Sequence, residues 1–140
     1  MDGLSPLNVL VVENDGDILE TLKEFLEDQG HVVWCAPSGE AALEGLRRGR
    51  RTDVILVDFQ LEGMNGIELL DFCGADAQLS RLSMVLMTGF PPEQLRAGLR
   101  CRILGKPFGL EQVLEALTLA LSGGHMPFPP VPGRLLEGSA

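Results

Sequence analysis

The sequence is short of cations. Eleven Lys and Arg stand against twenty Asp and Glu in 140 residues, a formal net charge of −9. That balance argues against direct binding of nucleic acid through a broad basic face, which needs clustered Lys and Arg. Cysteine is scarce too: Cys35, Cys73 and Cys101 are an odd number, and no two lie at CxxC or metal-ligand spacing. They read as small buried hydrophobes rather than redox residues. His31 and His125 stand far apart with no Cys/His cluster, so a zinc site is not expected. No apolar run approaches the roughly 18 residues that a membrane-spanning helix needs. The opening Met1-Asp2-Gly3-Leu4-Ser5-Pro6 has neither a basic nor an apolar signal region, so a cytoplasmic location is expected.

What is present is an ordinary globular composition, 45% hydrophobic and 22% charged, at a length that suits one domain. The central stretch is Val54-Ile55-Leu56-Val57-Asp58-Phe59-Gln60. Four apolar residues, three of them β-branched, lead directly to an Asp. Such a run fits a strand buried on both faces, as in a parallel sheet covered by helices. Gly63, Met64, Asn65 and Gly66 then read as a loop before a helix.

Leu7 to Val12 is a first buried strand, closed by the polar cluster Glu13-Asn14-Asp15-Gly16-Asp17. Ile18, Leu22, Phe25 and Leu26 recur at helical spacing, and Gly30 suits the residue just past that helix. His31 to Ala36 is a short strand, and Ser38 is the expected N-cap of a helix that buries Ala41, Ala42 and Leu46. Arg47, Arg48, Arg50 and Arg51 gather at that helix's end, where cations suit the macrodipole. A third helix is expected from about Asn65 to Cys73 with Ile67 and Leu70 inward, Leu69 being less certain from spacing. A fourth strand follows at Leu82 to Met87, a short helix opening at Pro91-Pro92-Glu93, and a minimal fifth strand at Arg102-Ile103-Leu104. A last helix spans about Leu110 to Leu121. Strands and helices alternate five times, the pattern of βαβ units. Residues 1–122 form the expected domain, and residues 123–140, rich in Gly and Pro, read as a flexible tail or linker stub.

The distinctive polar residues all follow strands: Glu13, Asn14 and Asp15, then Asp58, then Thr88, then Lys106. In a parallel sheet these positions converge on one edge, the edge where ligands bind. Carboxylates gathered there repel one another unless a cation intervenes, and Mg²⁺ prefers such oxygen ligands. Carboxylates, Mg²⁺, a lysine and a hydroxyl around one Asp suit phosphoryl transfer to that Asp.

With those residues in place, the chain resembles the receiver domain of two-component response regulators, of the type found in bacterial chemotaxis. The resemblance covers about residues 7–122 and rests on four motifs in order: Val-Val-Glu-Asn-Asp, Val-Asp-Phe-Gln-Leu-Glu-Gly-Met-Asn-Gly, Met-Thr-Gly and Gly-Lys-Pro-Phe. It implies a flavodoxin-like, doubly wound α/β fold, a five-stranded parallel sheet of order 2-1-3-4-5 flanked by five helices. It implies that Asp58 accepts a phosphoryl group, with Thr88 and Lys106 contacting phosphoryl oxygens. Glu13, Asn14, Asp58 and the backbone carbonyl of Gln60 would hold Mg²⁺. The Lys106–Pro107 peptide would be cis. The implied partners are a sensor histidine kinase or phosphotransfer protein and a downstream protein effector; homodimerisation stays open.

Three positions depart from the family pattern. Asn14 replaces an Asp and removes one charge from the metal site, which weakens Mg²⁺ binding unless Glu13 or Asp15 compensates. Ile103 stands where the family has a switching aromatic. Thr88 and Lys106 are 18 positions apart, about one helical turn fewer than usual, and the missing turn falls in the fourth helix. Two readings follow: a phosphorylatable receiver that signals by protein contact and is not a turnover enzyme, or a pseudo-receiver that binds partners without phosphorylation. A hydrolase or cofactor enzyme on a similar sheet is disfavoured. An aspartyl phosphatase would want an Asp where Gln60 stands, and a nucleotide protein would want a Gly-rich loop after the first strand.

Overall fold

A computed structural model describes residues 6–90, 95 and 101–122 of the chain. The elements are β1 (Asn8–Val12), α1 (Gly16–Asp28), β2 (Val32–Ala36), α2 (Gly39–Arg47), β3 (Val54–Asp58), α3 (Gly66–Ala75), a single 3-10 turn at Leu79–Arg81, β4 (Ser83–Thr88), β5 (Arg102–Gly105) and α4 (Leu110–Ser122). Every strand pairing is parallel, and the order is β2-β1-β3-β4-β5, as expected. The described residues hold four α-helices rather than the five expected. The short helix expected at Pro91-Pro92-Glu93 lies outside them, as does the 123–140 tail.

The strands separate two cores with a period of two. Leu10, Val12, Ile55, Val57, Met84 and Leu86 pack toward α2 and α3. Val9, Val11, Val54, Leu56, Val85 and Met87 pack toward α1 and α4. Each central strand is therefore apolar between its end residues, because both of its faces are covered by helices. The helices begin where the side chains allow: Asp15 accepts the N–H groups of Asp17 and Ile18, Ser38 that of Ala41, and Asn65 with Glu68 forms a reciprocal capping box. Gly30 sits at φ +96° just past α1, the left-handed terminator anticipated there.

Some local expectations change. In α3 it is Leu69 that is fully buried, while Ile67 and Leu70 are half-buried on the flanks of the same core. His31 precedes β2 rather than joining it, and its Nδ1 accepts the Leu7 N–H at 3.1 Å. The arginines do more than end a helix. Arg48 pairs with Glu44 at 3.1 Å, and the Arg50 guanidinium lies 4.4 Å from the Trp34 ring centroid. Trp34 also donates its Nε1–H to Thr52 Oγ1. Among the described residues no helix is long and apolar enough to cross a membrane.

Candidate functional site

The chain leaves β1 toward β2 on one side and reaches β3 on the other, so the crevice between the carboxyl ends of β1 and β3 is a topological switch point. Glu13 follows β1 and Asp58 ends β3, and both are buried. Thr88 ends the neighbouring β4 and is also buried. Lys106 follows β5, its N–H bonded to the Thr88 carbonyl at 2.8 Å. These residues, scattered from position 13 to position 106, meet at one edge.

Lys106 Nζ lies 2.6 Å from Asp58 Oδ1. The Asp58 side chain is 4% exposed and that of Lys106 30%. The carboxylate is therefore withdrawn from water but paired, and the ammonium keeps an opening to solvent. Charge pairing of this kind offsets the desolvation of a buried carboxylate. Asp58 is held by its neighbours on both sides. The Phe59 N–H donates to the Met87 carbonyl at 2.8 Å, and the Phe59 carbonyl accepts from Gly66 N–H at 3.0 Å. A Cβ on Gly66 would come within 2.7 Å of the Asp58 carbonyl oxygen, so only glycine admits this approach.

Glu13 faces the same space. Its Oε2 accepts the Asp15 N–H at 3.2 Å, whereas Oε1 is buried and has no hydrogen-bond partner. Burial pushes the Glu13 carboxyl above its usual range; the Asp15 N–H opposes this, the Asp58 charge adds to it and Lys106 offsets part. An orphaned carboxylate oxygen beside a second carboxylate is a ready position for a hard cation. Asn14 is exposed. Asp15 is committed to capping α1 through Oδ1, so it stands as a helix cap rather than as a replacement for the charge that Asn14 lacks. Among the described residues no three His, Cys, Asp or Glu side chains gather as a metal site, which leaves the two carboxylates of Glu13 and Asp58. That number is sufficient for Mg²⁺, which keeps several waters.

Asp17, Glu62 and Gln60 are exposed around this edge. Ile103 is half-buried and packs with the α2 and α3 side of the core. The Lys106–Pro107 bond is cis. One contact was not anticipated. The Phe59 and Phe90 rings meet edge to face, with centroids 5.4 Å apart and planes at 88°, and the Phe90 N–H donates to Thr88 Oγ1 at 3.0 Å. The one-residue offsets Asp58-Phe59 and Gly89-Phe90 at two adjacent strand ends were the available signal.

Comparison with known proteins agrees with this arrangement. The family model of the response regulator receiver domain matches residues 9–118. The virulence sensor protein BvgS of Bordetella pertussis is 32% identical over 135 residues, covering 90% of this chain; the chain spans only 11% of that protein's length. The chemotaxis response regulator CheY4 of Vibrio cholerae superposes with a TM-score of 0.76 at 27% identity, covering 84% of this chain and 100% of that one. The receiver domain of sensor histidine kinase PA1611 from Pseudomonas aeruginosa, solved with magnesium in its active-site cleft, shares the fold with a TM-score of 0.74 at 22% identity. It is matched over 84% of this chain and 99% of that one.

Proposed function

The chain belongs to the response regulator receiver family of two-component signalling, and from that premise we propose that Asp58 accepts a phosphoryl group from a phosphohistidine of a sensor histidine kinase or phosphotransfer protein. The observation that carries this reading is the pairing of a buried Asp58 carboxylate with Lys106 at 2.6 Å, beside Glu13 and Thr88 on one sheet edge.

In the proposed step an Asp58 carboxylate oxygen forms a bond to phosphorus as the phosphorus–imidazole nitrogen bond breaks. The electron pair of that bond leaves with the imidazole of the donor. On this reading Lys106 would pair with a phosphoryl oxygen and the Thr88 hydroxyl would donate to another. The sheet edge keeps the reacting carboxylate away from bulk water, which strengthens both interactions. Mg²⁺ fits the donor set: Glu13 Oε1, Asp58, the Asn14 side-chain carbonyl and the Gln60 backbone carbonyl would hold it. Bound there, it would neutralise charge on the transferring group. The magnesium in the PA1611 cleft supports this assignment by analogy of fold. The protein on this reading is a cytoplasmic phosphoacceptor rather than a turnover enzyme, acting catalytically only on its own phosphorylation and dephosphorylation. It passes the signal to a protein effector by surface contact.

Acetyl phosphate with Mg²⁺, read by intact mass, tests the reading. The expected outcome is a gain of one phosphoryl group that is absent in Asp58→Ala. No adduct at saturating Mg²⁺ would leave a phosphorylation-independent binding module, the reading favoured by Asn14 and Ile103.

A further inference from the structure

We propose that Phe59 and Phe90 form a positioning pair that aims the Thr88 hydroxyl at the group carried by Asp58; the inference rests on the phosphoacceptor reading of Asp58. A threonine hydroxyl has one proton to donate and two lone pairs. In this molecule the Phe90 N–H occupies a lone pair of Thr88 Oγ1 at 3.0 Å. That bond selects among the staggered side-chain positions of Thr88 and leaves the O–H as its free donor. Without it, a threonine hydroxyl readily turns to a nearby backbone carbonyl.

The Phe90 amide has to be held for this to work, and its ring supplies the hold. Phe90 is 38% exposed, so its ring contributes little to the core. Its ring meets that of Phe59 edge to face. Phe59 is the more rigid partner, being tied through both backbone groups to Met87 and Gly66 and adjoining Asp58 directly. The ring pair therefore joins the residue after the phosphoacceptor to the turn that orients the hydroxyl.

The test measures the rate of Asp58 phosphorylation by acetyl phosphate in the full chain. Phe90→Ala and Phe59→Ala are each expected to lower the rate about threefold to tenfold, the range an aromatic pair can supply. Phe90→Tyr is expected to restore it, and the exposed helix residue Phe72, changed to Ala, to leave it unchanged. In a Thr88→Ala background Phe90→Ala is expected to have no further effect. An equal effect in both backgrounds, or no effect in either, would overturn the proposal while leaving Asp58 as phosphoacceptor. Absence of an adduct on the unaltered chain takes down both readings. Should Thr88→Ala react too slowly to measure, hydrogen exchange of the Phe90 amide decides: Phe59→Ala must speed it, and unchanged exchange overturns the pair.

Discussion

Glu13 holds a carboxylate that its own burial disfavours as an anion. Its neutral form gains on folding, so the stability linked to Glu13 is present below the ordinary carboxylate value of 4.5 and is lost as pH rises through the raised folded value. Its Oε1 has no hydrogen-bond partner to favour the anion. Glu13→Gln is therefore expected to stabilise the metal-free protein at pH 7, because the amide oxygen still accepts the Asp15 N–H while the side chain carries no charge to desolvate. The gain should shrink toward pH 4. Thermal melting from pH 4 to 8, with and without Mg²⁺, checks both points. Mg²⁺ should raise the melting temperature of the unaltered chain and barely move that of the variant. Asp58, Thr88 and Lys106 could be singled out in the sequence because each stands at or just past the end of a short apolar run, and a parallel sheet sends such residues to one edge. The Phe59–Phe90 contact could not, because it depends on two side-chain directions that strand spacing leaves open. The role of Asp15 was left open for a related reason: an Asp after a strand serves as a cap or a ligand according to where its carboxylate turns.

At the scale of elements, α3 determines how closely the strand ending in Asp58 can be approached. Two of its glycines have opposite surroundings. A Cβ on Gly66 would meet the Asp58 carbonyl at 2.7 Å, Leu86 Cδ1 at 2.8 Å and Phe59 Cα at 3.0 Å, while one on Gly74 meets nothing within 4 Å. Gly66→Ala is expected to cost about 1–3 kcal/mol by overpacking and to slow phosphorylation by displacing Asp58. Gly74→Ala should stabilise by about 0.4–1 kcal/mol through lower chain entropy and better helix propensity. Denaturant unfolding of the two variants, alongside acetyl phosphate labelling, separates the effects. The α3 pattern also shows where sequence periodicity is weak. Ile67, Leu69 and Leu70 are crowded apolar positions, and only packing against the sheet selects Leu69 as the innermost. The cap at Ser38 was easier, since it acts on a backbone N–H only three residues on; the capping box of Asn65 and Glu68 was not read from the sequence.

The whole molecule was legible to the extent that its strands are apolar on both faces. That property names a parallel sheet, and connection rules then restrict its topology. Strand order itself came through the family resemblance, since composition does not distinguish which edge each crossover takes. Among the described residues some of the chain's few cations have defined partners. Arg48 lies along α2 on Glu44, Arg50 on Trp34 and Lys106 on Asp58. The placement of Arg50 depends on the width of the gap beside α2. A Cβ on Gly45 would stand 2.6 Å from the Trp34 ring, so that helix offers the indole a bare backbone to lie against.

This seat for Trp34 has an optical consequence. It is the chain's one tryptophan, and β2 lies at the sheet margin with β1 between it and the strand of Asp58. Its emission should shift when the sheet melts and the indole meets water. It should stay constant when Asp58 is loaded by acetyl phosphate, because neither Lys106, Thr88 nor the Phe59–Phe90 contact adjoins β2. The intrinsic chromophore is thus expected to report the integrity of the scaffold and not the phosphorylation proposed for Asp58.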